Sequence, residues 1–173
     1  MITTIWKDIL DMDCDPETDG KNHHIYVIKD GEGGVLYVGR SKDACDRLLD
    51  HVGMDKYSPR YLMPSSIGRF ILDHRPRSLY WKIDLYTLEE CQTICSENAK
   101  EHGWVFQLDA SNIVGQELII SEAESVMIMK LAPPFNVIGN PNRRRMYRVQ
   151  PGIANEGVIL ASTPDVNSEM EAE

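Results

Sequence analysis

The sequence predicts an α/β fold: a small central antiparallel β-sheet of about three strands, flanked by helices. Three observations carry this expectation. Two short apolar runs holding Tyr26 and Tyr37 are joined by the Gly-rich link Asp30-Gly31-Glu32-Gly33-Gly34, the pattern of a β-hairpin. Residues 79 to 86, LYWKIDLY, alternate and are rich in aromatic residues, as a third strand would be. Around these lie stretches whose apolar residues recur at helical spacing.

In chain order, Ile5, Trp6, Ile9 and Leu10 predict a short amphipathic helix over residues 3 to 12. The acidic, turn-rich run from Asp13 to Asn22 reads as a linker, so residues 1 to 22 form an N-terminal helix and linker. Folding the hairpin about Gly31 and Glu32 sets Tyr26 opposite Tyr37, Val27 opposite Leu36 and Ile28 opposite Val35. Ser41 suits the N-cap of a helix reaching about residue 51. Arg47 and His51, four apart, share one side of that helix. One local unit thereby supplies two phenols, a guanidinium and an imidazole.

Residues 53 to 64 read as a loop because of Gly53, Pro59 and Pro64, and carry Tyr57, Arg60 and Tyr61. Pro64-Ser65-Ser66 opens a helix to about residue 75, with Ile67, Phe70 and Ile71 inward and Arg69 outward. Thr87 and Glu90 form a capping-box pattern for a helix to about Glu101, ended by His102-Gly103. Residues 104 to 108 are a short strand or an irregular return. Ile113 to Leu131 is the longest helical pattern, stopped by Pro133-Pro134. Residues 141 to 173 are an Arg-rich segment followed by an acidic tail, expected to be mobile.

The length of 173 residues suits one domain with modest additions. The sequence contains no run of about 18 apolar residues, so no membrane helix is expected. The start, MITTIWKDILDMDCD, lacks the basic head and apolar core of a signal peptide. A cytoplasmic protein is the expectation. Cys14, Cys45, Cys91 and Cys95 contain no CxxC pair, and buried free thiols fit them better than zinc ligands. The net charge of -9 argues against a protein that coats nucleic acid nonspecifically. The charge is unevenly spread, however. Lys56, Arg60, Arg69, Arg75, Arg77 and Lys82 fall in one stretch with Asp73 as its one acid, and Arg143, Arg144, Arg145 and Arg148 in another with no acid. A basic face on an acidic chain suits a DNA-binding enzyme, and equally an ordinary solvated surface.

The hairpin and helix resemble the opening of the GIY-YIG nuclease superfamily. The first signature triad stands here as His24-Ile25-Tyr26 and the second as Tyr37-Val38-Gly39, while the family's helix arginine and histidine match Arg47 and His51. Glu124, followed by Pro133-Pro134 and Asn136, matches the family's helix glutamate, proline turn and asparagine. The likeness spans roughly residues 23 to 138, and implies a nuclease domain over residues 23 to 140 with an insertion near 87 to 110. It departs at His24, where the family has glycine.

The resemblance implies a metal-dependent DNA endonuclease with Tyr26, Tyr37, Arg47, His51 and Glu124 as its catalytic residues. Glu124 would hold Mg²⁺ (or Mn²⁺), an ion that often takes only one or two carboxylates and keeps several waters. Arg47 would grip the phosphate oxygens. The general base stays open among Tyr26, Tyr37 and His51, because a phenol needs a nearby cation to act as a base at neutral pH. Arg40 or Lys42 would supply that charge. Tyr57, Arg60, Arg69, Arg143, Arg144 and Arg145 are candidate contacts to duplex or branched DNA. Asn136, also counted with the substrate residues, would tie the turn after the glutamate helix back to the site. Specificity would come from these segments and the insertion, or from a homodimer or protein partner. The competing expectation is a catalytically inactive module that binds DNA or protein, which His24 and the acidic balance favour.

Overall fold

In the central strands, side chains of opposite parity along the chain enter different cores. Ile25 and Val27 of β2 (His23–Lys29) enter one core, and Tyr26 and Ile28 enter the other. Both faces of the sheet must therefore be covered by helices. The computed structural model describes residues 1–11, 22–54, 63–136 and 139. Among these, the sheet has four antiparallel strands in the order β1 (Ile2–Ile5), β4 (Lys82–Thr87), β2, β3 (Val35–Arg40). On one face lie α1 (Trp6–Leu10), α2 (Ala44–His51) and α3 (Ser66–Asp73), packing Trp6, Leu48, Ile67 and Ile71 against Tyr26, Ile28, Ile83 and Leu85. On the other, α4 (Leu88–Glu101) and α5 (Ile113–Leu131) pack Cys91, Cys95, Ile119 and Ala123 against Ile25, Val27 and Val38. The chain is thus an α/β protein in three layers.

Several expectations are corrected. The sheet has a fourth strand, because Ile2–Ile5 pairs with β4 before the helix begins at Trp6. The third predicted strand starts later than residue 79, since Arg77–Tyr80 forms a 3-10 turn. Of the two readings for residues 104 to 108, the irregular return is the one that forms. The N-cap of α2 is Asp43, whose side chain accepts from the Asp46 amide at 3.0 Å. The Ser41 amide is still bonded to the His24 carbonyl at 2.9 Å, so the chain remains extended past Ser41. The capping box of Thr87 and Glu90 forms as read, and α4 ends at Glu101. α4 buries its two cysteines in the second core.

The hairpin register differs from the simple fold about Gly31 and Glu32. Asp30 Oδ1 accepts from the amides of Glu32 at 3.0 Å and Gly34 at 2.7 Å, which closes the turn between Asp30 and Gly34. A bulge then shifts the pairing from Lys29↔Val35 to Ile28↔Tyr37. Tyr26 therefore faces Gly39, not Tyr37. The slip from the expected register is two residues, an even number, so both phenols keep the same face of the sheet.

The linker residues 13 to 21, the loop residues Tyr57, Arg60 and Tyr61, and the segment 141 to 173 lie outside the described residues, as do Arg143, Arg144, Arg145 and Arg148. No described helix is long and apolar enough to cross a membrane.

Candidate active site

Tyr26 and Tyr37 are diagonal neighbours across β2 and β3, with ring centroids 6.1 Å apart. Gly39, directly opposite Tyr26, makes this possible. A Cβ at Gly39 would overlap the end of the Tyr26 ring and stand 2.7 Å from Tyr37 Cε1. The Tyr26 ring thus lies across the one residue of β3 that has no side chain to obstruct it.

His51, the last residue of α2, closes the cluster. Its ring is 5.7 Å from that of Tyr26 and 5.2 Å from that of Tyr37, both in edge-on geometry. The Tyr26 hydroxyl lies 2.8 Å from His51 Nε2. Arg47, one turn earlier, lies close enough to the Tyr26 oxygen to pull its pKa down, and pairs with Asp50 at 3.4 Å. A cleft of about 320 Å³ lined by Arg47, Asp50, His51, Met63 and Ser65 opens beside the imidazole.

Glu124 comes from α5, with its carboxylate 3.0 Å from Arg40 Nε. It is close enough to raise the pKa of both phenols. Asn136 holds this arrangement together. Its Oδ1 accepts from the Val38 amide at 2.8 Å, and its Nδ2 donates to the Val38 carbonyl at 2.7 Å. The Phe135 amide adds a bond to the Leu36 carbonyl at 3.1 Å. The turn after α5 therefore occupies the outer edge of β3 as a strand would, which fixes α5 relative to the two tyrosines. Both amide atoms of Asn136 are engaged with Val38, so the residue serves as a tie; a role in gripping substrate does not follow from this geometry.

Burial dominates the electrostatics. It pushes the Tyr26 phenol far above its ordinary range, with Tyr37 adding to the shift and Arg47 opposing it. Tyr37 is raised by burial and then by Glu124. Burial, with help from Arg47, pulls His51 down to about 4. Glu124 is raised by burial against the pull of Arg40. His24, two residues before Tyr26 on β2, is partly buried, and burial lowers its pKa against the opposing influence of the Ser41 backbone. The contacts among Tyr26, Tyr37, Arg47 and His51 form with this imidazole in place.

The remaining candidates scatter. Lys42 is exposed and pairs with Glu117 at 3.5 Å. Arg69 points outward from α3. One residue absent from the sequence expectations joins the cluster: Ser65 Oγ lies 2.8 Å from His51 Nδ1. Fourteen residues beyond the histidine and outside any motif, Ser65 reads from sequence only as a helix start.

The donor set fits an ion that keeps most of its waters. It offers one half-buried carboxylate, and among the described residues no three His, Cys, Asp or Glu side chains gather into a protein cage for a metal. No protein-family model, curated protein or solved structure matches the chain.

Proposed function

We propose that this protein is a metal-dependent DNA endonuclease with a GIY-YIG-type site, hydrolysing phosphodiester bonds. The observation that carries the reading is the Tyr26 hydroxyl, bonded to His51 at 2.8 Å, with Tyr37 beside it and Arg47 and Glu124 within electrostatic reach. Side chains from β2, β3, α2 and α5 meet around one phenol.

In this reading Arg47 and Arg40 receive the phosphate oxygens, because a guanidinium fork matches their geometry. Tyr26 takes a proton from the attacking water as it gives its own to His51 Nε2. The count closes: water loses one proton, Tyr26 stays neutral, and His51 gains one. A phenol whose pKa is raised suits such a relay better than it suits a standing phenolate. Mg²⁺ held by Glu124 would offset phosphate charge and assist the leaving oxygen.

The Arg40–Glu124 ion pair favours a second reading, a binding module whose carboxylate is already neutralised. Conversion of supercoiled plasmid to nicked or linear form, with Mg²⁺ or Mn²⁺, separates the two. The nuclease reading expects metal-dependent cleavage that disappears in Glu124→Ala. Binding of branched or duplex DNA without cleavage of either supports the module.

A further inference from the structure

Ser65 enters the fold as the N-cap of α3, where its Oγ accepts from the Gly68 amide at 3.2 Å. The same oxygen lies 2.8 Å from His51 Nδ1 and 3.4 Å from the His51 carbonyl oxygen. The Ser65 amide donates to that carbonyl at 3.0 Å. Gly68 permits this docking, since a Cβ there would overlap the His51 carbonyl. The first turn of α3 therefore rests on the last residue of α2, and the hydroxyl is held at three points.

A serine oxygen has two lone pairs and one proton. The Gly68 amide uses one lone pair. A carbonyl can only accept, so a serine proton directed at the His51 oxygen, 3.4 Å away, leaves the second lone pair for the 2.8 Å contact to Nδ1, and in that arrangement Nδ1 carries the hydrogen. A neutral imidazole so arranged leaves Nε2 bare. Nε2 is the atom that faces the Tyr26 hydroxyl at 2.8 Å. The opposite tautomer would spend the serine proton on Nδ1, abandon the carbonyl contact, and turn an N–H toward the phenol.

We infer that Ser65 is a positioning residue of this site, holding His51 in the Nδ1-protonated tautomer so that its Nε2 lone pair is aimed at the Tyr26 proton. The catalytic consequence rests on the nuclease reading; the tautomer does not.

The test uses the full chain labelled with ¹⁵N-histidine. Long-range proton–nitrogen correlation near neutral pH reads which ring nitrogen is protonated, and His51→Gln identifies the His51 signals by their loss. The expected result is a protonated Nδ1 and a bare Nε2 in the native chain. Ser65→Gly removes the hydroxyl but keeps a residue tolerated at an N-cap, and should move His51 toward the other tautomer. Ser65→Thr should restore it. A native His51 protonated on Nε2, or a tautomer unchanged in Ser65→Gly, overturns the inference, and the native measurement decides even if that variant fails to fold. In the cleavage assay, Ser65→Gly should lower kcat by about tenfold or more, with KM changed less than about twofold. Absence of cleavage by the native chain would remove the nuclease reading and leave the tautomer result standing.

Discussion

His51 should make the stability of this protein fall as pH falls, by an amount the structure sets. Burial and Arg47 hold its pKa down to about 4, against an ordinary 6.5. The unfolded chain therefore takes up a proton at a pH where the folded chain does not. The stabilisation is fully present above the unfolded pKa and is lost as pH falls toward the folded value. The whole shift corresponds to about 3 kcal/mol, of which about 2 kcal/mol falls between about pH 7 and pH 5. Because His51 is almost fully enclosed, little discount for solvent is needed. The assay is urea unfolding of the native chain and of His51→Gln at both pH values. His24 titrates in the same direction, so the measured quantity is the difference between the two proteins. The native chain should lose about 2 kcal/mol more than the variant over that range. Equal losses would mean that His51 titrates alike folded and unfolded, and that the imidazole is not enclosed between Tyr26, Tyr37 and Ser65.

Three further outcomes follow from the same geometry. Gly39→Ala forces a Cβ into the Tyr26 ring, and should cost about 1–3 kcal/mol in urea unfolding, with loss of cleavage; unchanged stability would mean that the ring does not cross β3. Asn136→Ala leaves the Val38 amide and carbonyl without their edge partner and should cost about 1–3 kcal/mol. Its specific sign is faster hydrogen exchange at the Val38 amide than at Val27, which pairs inside the sheet. Arg40→Gln releases Glu124 from its ion pair and should tighten Mn²⁺ binding in calorimetry; weaker binding would mean that Arg40 and the cation do not compete for the carboxylate.

The legible parts of the fold are those whose determinants are local. The capping box at Thr87, the stop at Pro133-Pro134 and the helix from Ile113 to Leu131 need only nearby residues, and all form as read. The hairpin's existence was legible, but its register was not, because Asp30 closes the turn with its side chain and a bulge then inserts a residue. β1 was hidden because the helical spacing of Ile5, Trp6, Ile9 and Leu10 masks the β-branched run just before it, and the strand exists only by pairing with β4, about eighty residues away. The same division runs through the site. Tyr26, Tyr37, Arg47 and His51 come from one local unit and were visible together. Ser65 and the Arg40–Glu124 pair are products of tertiary packing, which no spacing encodes.

Burial also gives the cluster a common electrostatic character. It raises Tyr26, Tyr37 and Glu124 and lowers His51, so each of the four is pushed toward its neutral form. The fixed charge at the centre is then left to the guanidinium groups of Arg47 and Arg40, each beside a carboxylate. A site so balanced has little tendency to deprotonate water by itself. Under the proposed function, the balance changes when a phosphate competes for the arginines and releases Asp50 and Glu124 from their ion pairs. A carboxylate freed in a partly buried place attracts a divalent cation strongly, because the surrounding dielectric is low. Substrate and metal would then each favour the other's binding, and the proton relay through Tyr26 would gain its driving charge only with both present. On this argument the ion pair between Arg40 and Glu124 is compatible with catalysis as the resting arrangement of the site, and the hydrogen bonds from Asn136 and Ser65 hold the uncharged groups in register until that charge arrives.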